Sequence, residues 1–195
     1  MRVSLPILKC RHEYPRNGLQ ALVHSWPQSF RNRRELRRKS RLSTHVFPVS
    51  YPAIDEAFLE KTFDAVLLFG LAAKREEITL ERYAYNEFDK TLLDVDGLCP
   101  NRDIIEPNGP KSLQTSLPIV ALSDTLLSQG ISNHISIDPG RYLCNDAYFH
   151  ALRRYQGKAL FVHLPAFGEG FDESDLKRAV ATLTEALKRQ PSSDC

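Results

Sequence analysis

The chain has 195 residues, 42% of them hydrophobic and 26% charged, which suits a single globular domain with a substantial core. No apolar run approaches the roughly 20 residues that span a bilayer, so we expect no membrane partner. The four cysteines lack CxxC spacing, which argues against a metal site or a disulfide framework, and no cofactor is implied. The N-terminal apolar run is short and broken by proline, unlike a signal peptide, so a cytoplasmic protein is expected.

The net charge of +2 hides an asymmetry between the two ends of the chain. Residues 1–41 hold eleven Lys/Arg and two Asp/Glu, a formal charge of +9, and the rest carries −7. The run RNRRELRRKSR (31–41) could be a nucleic-acid patch or a solvated helix or irregular segment. Because it has neither aromatic stacking residues nor a binding motif, we favour the second interpretation and expect no nucleic-acid partner.

From about residue 44 the pattern alternates between strands and helices. Strands are predicted at 44–51, 64–70, 77–86, 131–137 and 158–167, helices at 53–63, 116–130, 145–157 and 172–190, and a turn-rich connection at 94–112. Ser116 is expected to cap the second helix, and Asp172 with Asp175 the last one. This alternation predicts a single-domain α/β fold, a three-layer α/β/α sandwich around a mostly parallel mixed sheet.

Cys144 lies where a strand, a tight turn (Asp138-Pro139-Gly140-Arg141) and a helix follow one another. A helix N-terminus lowers the pKa of a thiol there, and its free N–H groups can hold an oxyanion. A nucleophile at such a junction resembles a nucleophile elbow. The alternative is an ordinary buried thiol, the more frequent situation for a cysteine.

A thiolate nucleophile needs a base, and the base needs an orienting partner. His163 is a candidate because it ends a predicted core strand, and sites in open parallel sheets lie beyond the carboxyl ends of strands. Glu81 is a candidate third member because a buried carboxylate must be paired, and a histidine would pair it. The alternatives are a hydrogen-bonded core histidine and a glutamate that pairs with Arg82 or Arg75 instead.

Five segments in order resemble the successive motifs of the pyroglutamyl peptidase I (pyrrolidone-carboxylate peptidase) family of cysteine peptidases. They are FDAVLLFGLAAKR (63–75), TLERYAYN (79–86), NGPKSLQTSLPIVAL (108–122), SIDPGRYLCNDAYFHAL (136–152) and FVHLP (161–165). The resemblance runs from about 44 to 185, and its order and spacing agree as well as its residue types.

The resemblance implies a Cys144–His163–Glu81 triad that removes an N-terminal pyroglutamyl residue from a peptide substrate. It also implies that Tyr142 and Leu143 line the substrate pocket. Leu71 takes the pocket position at which many members have glutamine. The implied assembly is a homo-oligomer, often a tetramer.

The N-terminal part departs from the family. Residues 1–23 lack the GF-x-PFGG loop whose aromatic residues close over the lactam ring, which removes part of the pocket and brings the first strand into question. We therefore divide the single peptidase domain (1–195) into a divergent, basic part (1–43), either ordered or poorly ordered, and a family-like body (44–190). Two functions remain open: an active peptidase, or a catalytically weak or inactive relative with a binding or structural role.

Overall fold

The computed structural model describes residues 3–8, 42–47, 63–94, 97–168 and 170–189, the first two segments by their backbone alone. The strands are β1 (Val3–Leu8), β2 (Leu42–Phe47), β3 (Ala65–Leu71), β4 (Ile78–Glu81), β5 (Tyr83–Tyr85), β6 (Ser112–Gln114), β7 (Asn133–Ser136) and β8 (Ala159–Leu164). The helices are α1 (Ile119–Ser128), α2 (Leu143–Arg154) and α3 (Glu173–Lys188).

Six of these strands form one mixed, mostly parallel sheet in the order β2-β1-β3-β8-β4-β7. Strands β2, β1, β3 and β8 run parallel to one another. Strand β4 pairs antiparallel with β8, and the edge strand β7 pairs parallel with β4. Strands β3 and β8 are almost entirely apolar and buried, as expected for strands covered on both faces.

Helices cover both faces of the sheet, which confirms the three-layer sandwich. Alternate residues such as Leu67, Leu80 and Val162 pack on one face against α1 and α3. The residues between them, such as Leu68 and Phe161, face α2 on the other side, where Cys144 also lies. The period-2 alternation of the strands therefore decides which side chains share a layer with the cysteine.

The segment predicted as one strand at 77–86 is two strands in different sheets, so that prediction is wrong. The strand is interrupted at Arg82. The N–H of this residue donates to Ser136 O, and its C=O accepts from Thr115 N. After this break β5 pairs antiparallel with β6 in a separate two-stranded sheet. Apolar alternation continues through the break, which is why the sequence pattern did not show it.

The helices begin and end close to the predicted residues, with two corrections. Ser116 does not cap α1: the N-cap is Pro118, without a side-chain hydrogen bond, and the backbone N–H of Ser116 donates to Gly157 O instead. Helix α2 begins at Leu143, so Cys144 lies inside the first turn rather than before it. The cap of α3 is confirmed: Asp172 and Asp175 form a capping box.

Strand β1 is present in the sheet between β2 and β3, so the first strand is retained although its sequence departs from the family. The predicted helix at 53–63 and the basic run at 31–41 lie outside the described residues, apart from Phe63.

Candidate active site

Glu81 and His163 meet across the antiparallel pair of β4 and β8. The register places Thr79 opposite His163 and Glu81 opposite Phe161, so Glu81 is a diagonal neighbour of the histidine on the same face. Its side chain covers that offset: Glu81 Oε1 lies 2.8 Å from His163 Nδ1. An ionised carboxylate can only accept, so Nδ1 carries the hydrogen and Nε2 is left as the basic nitrogen.

Both members of this pair are buried. Glu81 is 0% exposed and His163 4% exposed, and the ring of Phe161 lies 4.7 Å from the imidazole, centroid to centroid. A hydrogen bond in such surroundings is stronger than one in water, and it holds the imidazole in a single orientation. The sequence-predicted pairing of a buried carboxylate with a histidine is therefore seen in the structure.

Arg75 reaches the same carboxylate oxygen as the histidine. Its Nη2 lies 2.9 Å from Glu81 Oε1, and the same nitrogen donates to the backbone oxygen of Asp138 at 3.2 Å. The two partners that the sequence offered as alternatives, a histidine and Arg75, are thus both present. The third, Arg82, has its backbone in the break between β4 and β5.

Cys144 is the second residue of α2 and is 5% exposed. The first helical N–H groups have no carbonyl within the helix, and the first intrahelical bond here runs from Asp146 N to Tyr142 O. The thiol therefore lies at the positive end of the helix dipole, among N–H groups that point the same way. This arrangement can stabilise a thiolate and a developing oxyanion.

Gly70 determines how closely the thiol approaches the sheet. A Cβ placed on Gly70 would lie 3.3 Å from Cys144 Sγ and 2.7 Å from Phe161 Cζ, so only glycine leaves room for both. Gly70 is also the registered partner of His163 on the neighbouring strand. The thiol and the imidazole therefore occupy neighbouring positions on one face of the sheet.

The turn before Cys144 is held by charged groups. Gly140 has a φ of +81°, a conformation that favours glycine. Asp138 Oδ1 accepts from Gly140 N at 3.0 Å and from Arg141 Nη1 at 2.6 Å. Burial opposes the ionisation of Asp138, but the hydrogen bonds from Arg141 and Gly140 outweigh it and lower the pKa of its carboxyl.

Asn145 joins the first turn of α2 to the neighbouring small sheet. Its side chain accepts from Tyr85 N at 2.7 Å and donates to Tyr85 O at 2.8 Å and to Glu87 O at 3.1 Å. It is fully buried. Three hydrogen bonds from one amide fix the helix start against β5, and with it the position of the cysteine before it.

The three predicted pocket residues lie at the ends of the elements that carry this site. Tyr142 is the N-cap of α2 and its hydroxyl donates to Leu93 O at 2.8 Å. Leu143 is completely buried beneath the helix start, whereas Leu71 is the half-buried last residue of β3. Tyr142 and Leu71 therefore keep some exposure, but Leu143 can only shape a pocket from behind.

Sequence reasoning missed the roles of Gly70 and Asn145 and treated Arg75 only as a competitor for Glu81. The glycine after an apolar run and the Cys-Asn dipeptide were visible signals, but neither states what the residue contacts.

Among the described residues, no cluster of three or more His, Cys, Asp or Glu could hold a metal ion. None of the helices in the same part of the chain has the length and apolarity needed to cross a membrane.

Comparison with known proteins adds an independent observation. The family model described as pyroglutamyl peptidase matches residues 35–183. The chain is 30% identical to pyroglutamyl-peptidase 1 of Rattus norvegicus over 152 residues, which cover 75% of this chain and 72% of the relative. It is 36% identical to the pyrrolidone-carboxylate peptidase of Halalkalibacterium halodurans over 138 residues, 63% of this chain and 68% of that protein.

The fold agrees with solved structures as well. The pyrrolidone carboxyl peptidase of Thermus thermophilus superposes with a TM-score of 0.77 at 27% identity, covering 94% of this chain and 98% of the other. The pyrrolidone carboxyl peptidase of Thermococcus litoralis, at 23% identity and a TM-score of 0.75, has the same fold, and the match covers 100% of this chain and 99% of the other.

Proposed function

Because this chain belongs to the pyroglutamyl peptidase family, we propose that it is a cysteine exopeptidase that removes N-terminal pyroglutamyl residues from peptides. The observation that carries the proposal is the buried hydrogen bond between Glu81 and His163 on the sheet face that holds Cys144. A carboxylate, an imidazole and a thiol in that order form a catalytic relay: the carboxylate orients the imidazole, and the imidazole takes the proton of the thiol.

In the proposed first step, His163 Nε2 takes the proton of Cys144, and Glu81 orients the ring through Nδ1. The thiolate attacks the carbonyl carbon of the pyroglutamyl residue. N–H groups of the first turn of α2 stabilise the oxyanion. His163 then gives the proton to the leaving amine as the C–N bond breaks, which releases the shortened peptide and leaves a thioester.

In the second step, water attacks the thioester carbonyl while His163 Nε2 accepts a water proton. The C–S bond breaks, pyroglutamate leaves, and the thiol is restored with that proton.

The lactam is small and uncharged, so its pocket needs apolar walls with few polar groups. Tyr142, Leu143 and Leu71 are the proposed contributors. The oligomeric state follows from the resemblance alone, and light scattering on the full chain would measure it.

The test is the release of a fluorescent amine from a pyroglutamyl substrate by the full-length chain. We expect turnover by the wild type and none by Cys144→Ala. Cys99→Ala is the matched control, because Cys99 is a free, exposed cysteine, and we expect its rate to equal that of the wild type. Glu81→Gln keeps the shape of the side chain but removes its charge, and we expect kcat to fall by about 10²-fold or more.

The outcome also separates the proposal from its alternative. A wild type that folds but releases no amine would refute the peptidase assignment. It would favour the weak or inactive relative with a binding role, which the missing N-terminal loop motivates. Full activity in Cys144→Ala would refute the nucleophile, whatever the family.

A further inference from the structure

Arg75 contacts a carboxylate that is completely buried. Its own side chain is 25% exposed, whereas Glu81 is 0% exposed. Arg153, by comparison, pairs with Glu106 where both side chains retain exposure. A charge removed from water must be compensated, so the partner of Glu81 matters more than a surface partner would.

The carboxylate of Glu81 is held from one side only. Oε1 receives both Arg75 and His163, and Oε2 makes no hydrogen bond to any described residue. Since His163 must gain and lose a proton in the proposed reaction, Arg75 is the constant positive charge on this carboxylate.

Arg75 also bridges two chain segments that carry different parts of the site. It lies in a turn closed by its own N–H donating to Ala72 O, and Ala72 N donates to Leu164 O beside His163. On the other side its guanidinium donates to the backbone oxygen of Asp138, in the turn that leads to Cys144. The rigid, planar guanidinium of Arg75 thereby holds the Glu81 carboxylate at a set distance from the turn that precedes Cys144.

We propose that Arg75 is a positioning residue for the reaction, which supplies the permanent counter-charge of Glu81 and ties it to the turn before Cys144. The inference rests on the proposed Glu81–His163–Cys144 relay but adds a fourth member to it. A lysine cannot replace it fully, because its flexible ammonium keeps the charge but not the rigid, planar group in which Arg75 Nη2 contacts both Glu81 Oε1 and Asp138 O.

Several other groups face this cluster and set its charge. Cys144 and Tyr148 approach from α2, where burial raises the pKa of the Tyr148 hydroxyl, so it stays neutral. Asp138 and Arg141 belong to the turn on the far side of Arg75 and pair with each other. Replacing Arg75 by a neutral residue therefore removes one positive charge from a site whose other groups stay as they are.

The experiment measures two quantities in wild type, Arg75→Gln and Arg75→Lys. The first is the pH midpoint of Cys144 alkylation by iodoacetamide, in a Cys10→Ala, Cys99→Ala, Cys195→Ala background that leaves Cys144 as the one cysteine of the sequence. It reports thiolate formation without any peptidase turnover. The second is kcat for the pyroglutamyl substrate. For Arg75→Gln, we expect the midpoint to move up by about one pH unit, because the site then lacks one positive charge and a further negative charge in it becomes less favourable.

We also expect kcat of Arg75→Gln to fall by about 10²-fold from misplacement of the relay. Arg75→Lys should keep the wild-type midpoint but lose part of kcat, since charge is kept and geometry is not. Arg153→Gln is the matched control: it breaks an arginine–glutamate pair at the far end of α2, and both readings should stay at wild-type values.

An unchanged midpoint and unchanged kcat in Arg75→Gln would overturn the inference. If that variant fails to fold by circular dichroism, Arg75→Lys decides, and wild-type kcat in it would overturn the positioning role. A wild type without turnover, whose alkylation midpoint still moves in Arg75→Gln, would refute the proposed peptidase activity while supporting the role of Arg75.

Discussion

Glu81 shows how a single residue can satisfy two explanations that look exclusive in the sequence. A buried glutamate needed a partner, and the sequence offered a histidine or an arginine. A carboxylate oxygen has more than one lone pair, so Glu81 Oε1 accepts from both His163 and Arg75. The arginine that would have explained the glutamate as purely structural instead adds to the case for a site.

Gly70 is the residue at which the site is most sensitive to size. Gly70→Ala would push a methyl group against Phe161 Cζ and Cys144 Sγ. We expect the free energy of unfolding to fall by about 1–3 kcal/mol, as for other overpacked cores, and kcat/KM to fall with the displaced thiol. Urea unfolding and the amine-release assay measure the two effects.

Gly168→Ala is the control for that substitution, because a Cβ there meets nothing within 4 Å. It should leave both quantities close to those of the wild type. Wild-type stability and turnover in Gly70→Ala would show that Phe161 and the thiol can move aside without consequence.

At the level of elements, the direction of β4 decides how the site is assembled. If β4 ran parallel to β8, both strands would end at the same edge of the sheet. Because it runs antiparallel, Glu81 at the end of β4 lies opposite Phe161 and reaches the histidine diagonally. Strand β4 is only four residues long and ends at Glu81, just before the interruption at Arg82. The long side chain of Glu81 covers the two-residue offset to the histidine.

The N-terminus of α3 gives a test of an element boundary. Backbone N–H groups of Asp175 and Ser174 donate to Asp172 and lower the pKa of its carboxyl. The cap is therefore worth most above the unfolded pKa of about 3.9, and its contribution is lost as the pH falls through the lower folded value. We expect Asp172→Ala to destabilise the protein at pH 7 and much less at pH 3.

Urea unfolding of both proteins at the two pH values checks this expectation. Asp124→Ala removes an exposed carboxylate from the middle of α1 and shows what the charge change does without a cap. An equal loss of stability at pH 7 and pH 3 for Asp172→Ala would contradict the capping role of the ionised carboxyl.

Across the whole molecule, the helices are divided unevenly between the two faces of the sheet, and the charge is divided unevenly along the sequence. The described body places one helix on one face of the sheet and two on the other, and the candidate relay lies on the face with the single helix. The excess positive charge belongs to residues 1–41, which include the basic run. The peptidase-like chemistry and the basic run are therefore separate features of the sequence.

Because the basic run has neither aromatic stacking residues nor a binding motif, we predict that the protein does not bind nucleic acid. A mobility-shift assay with duplex DNA and single-stranded RNA at about 50 mM salt is the most permissive test, since phosphate contacts are strongest there. We expect no complex. A complex that forms at low salt and is lost when Arg33, Arg34, Arg37 and Arg38 are changed to Gln would contradict this prediction.

The sequence by itself determined the features that depend on local patterns. Apolar runs and alternation placed β3, β8 and most helices, the Asp-x-x-Asp spacing placed the cap of α3, and the turn before Cys144 placed a thiol at a helix start. These features follow from interactions between residues a few positions apart. Position alone nominated Cys144, His163 and Glu81, and the ordered motifs added the family and the expectation that the three form a triad.

The tertiary structure alone decided what meets across the sheet. It set the antiparallel direction of β4, the break at Arg82, the approach of Cys144 Sγ to Gly70 and the double use of Glu81 Oε1 by His163 and Arg75. These contacts join residues far apart in the chain, and their formation depends on strand order and register. Such pairing is governed by how whole faces pack, so no short stretch of sequence can specify it.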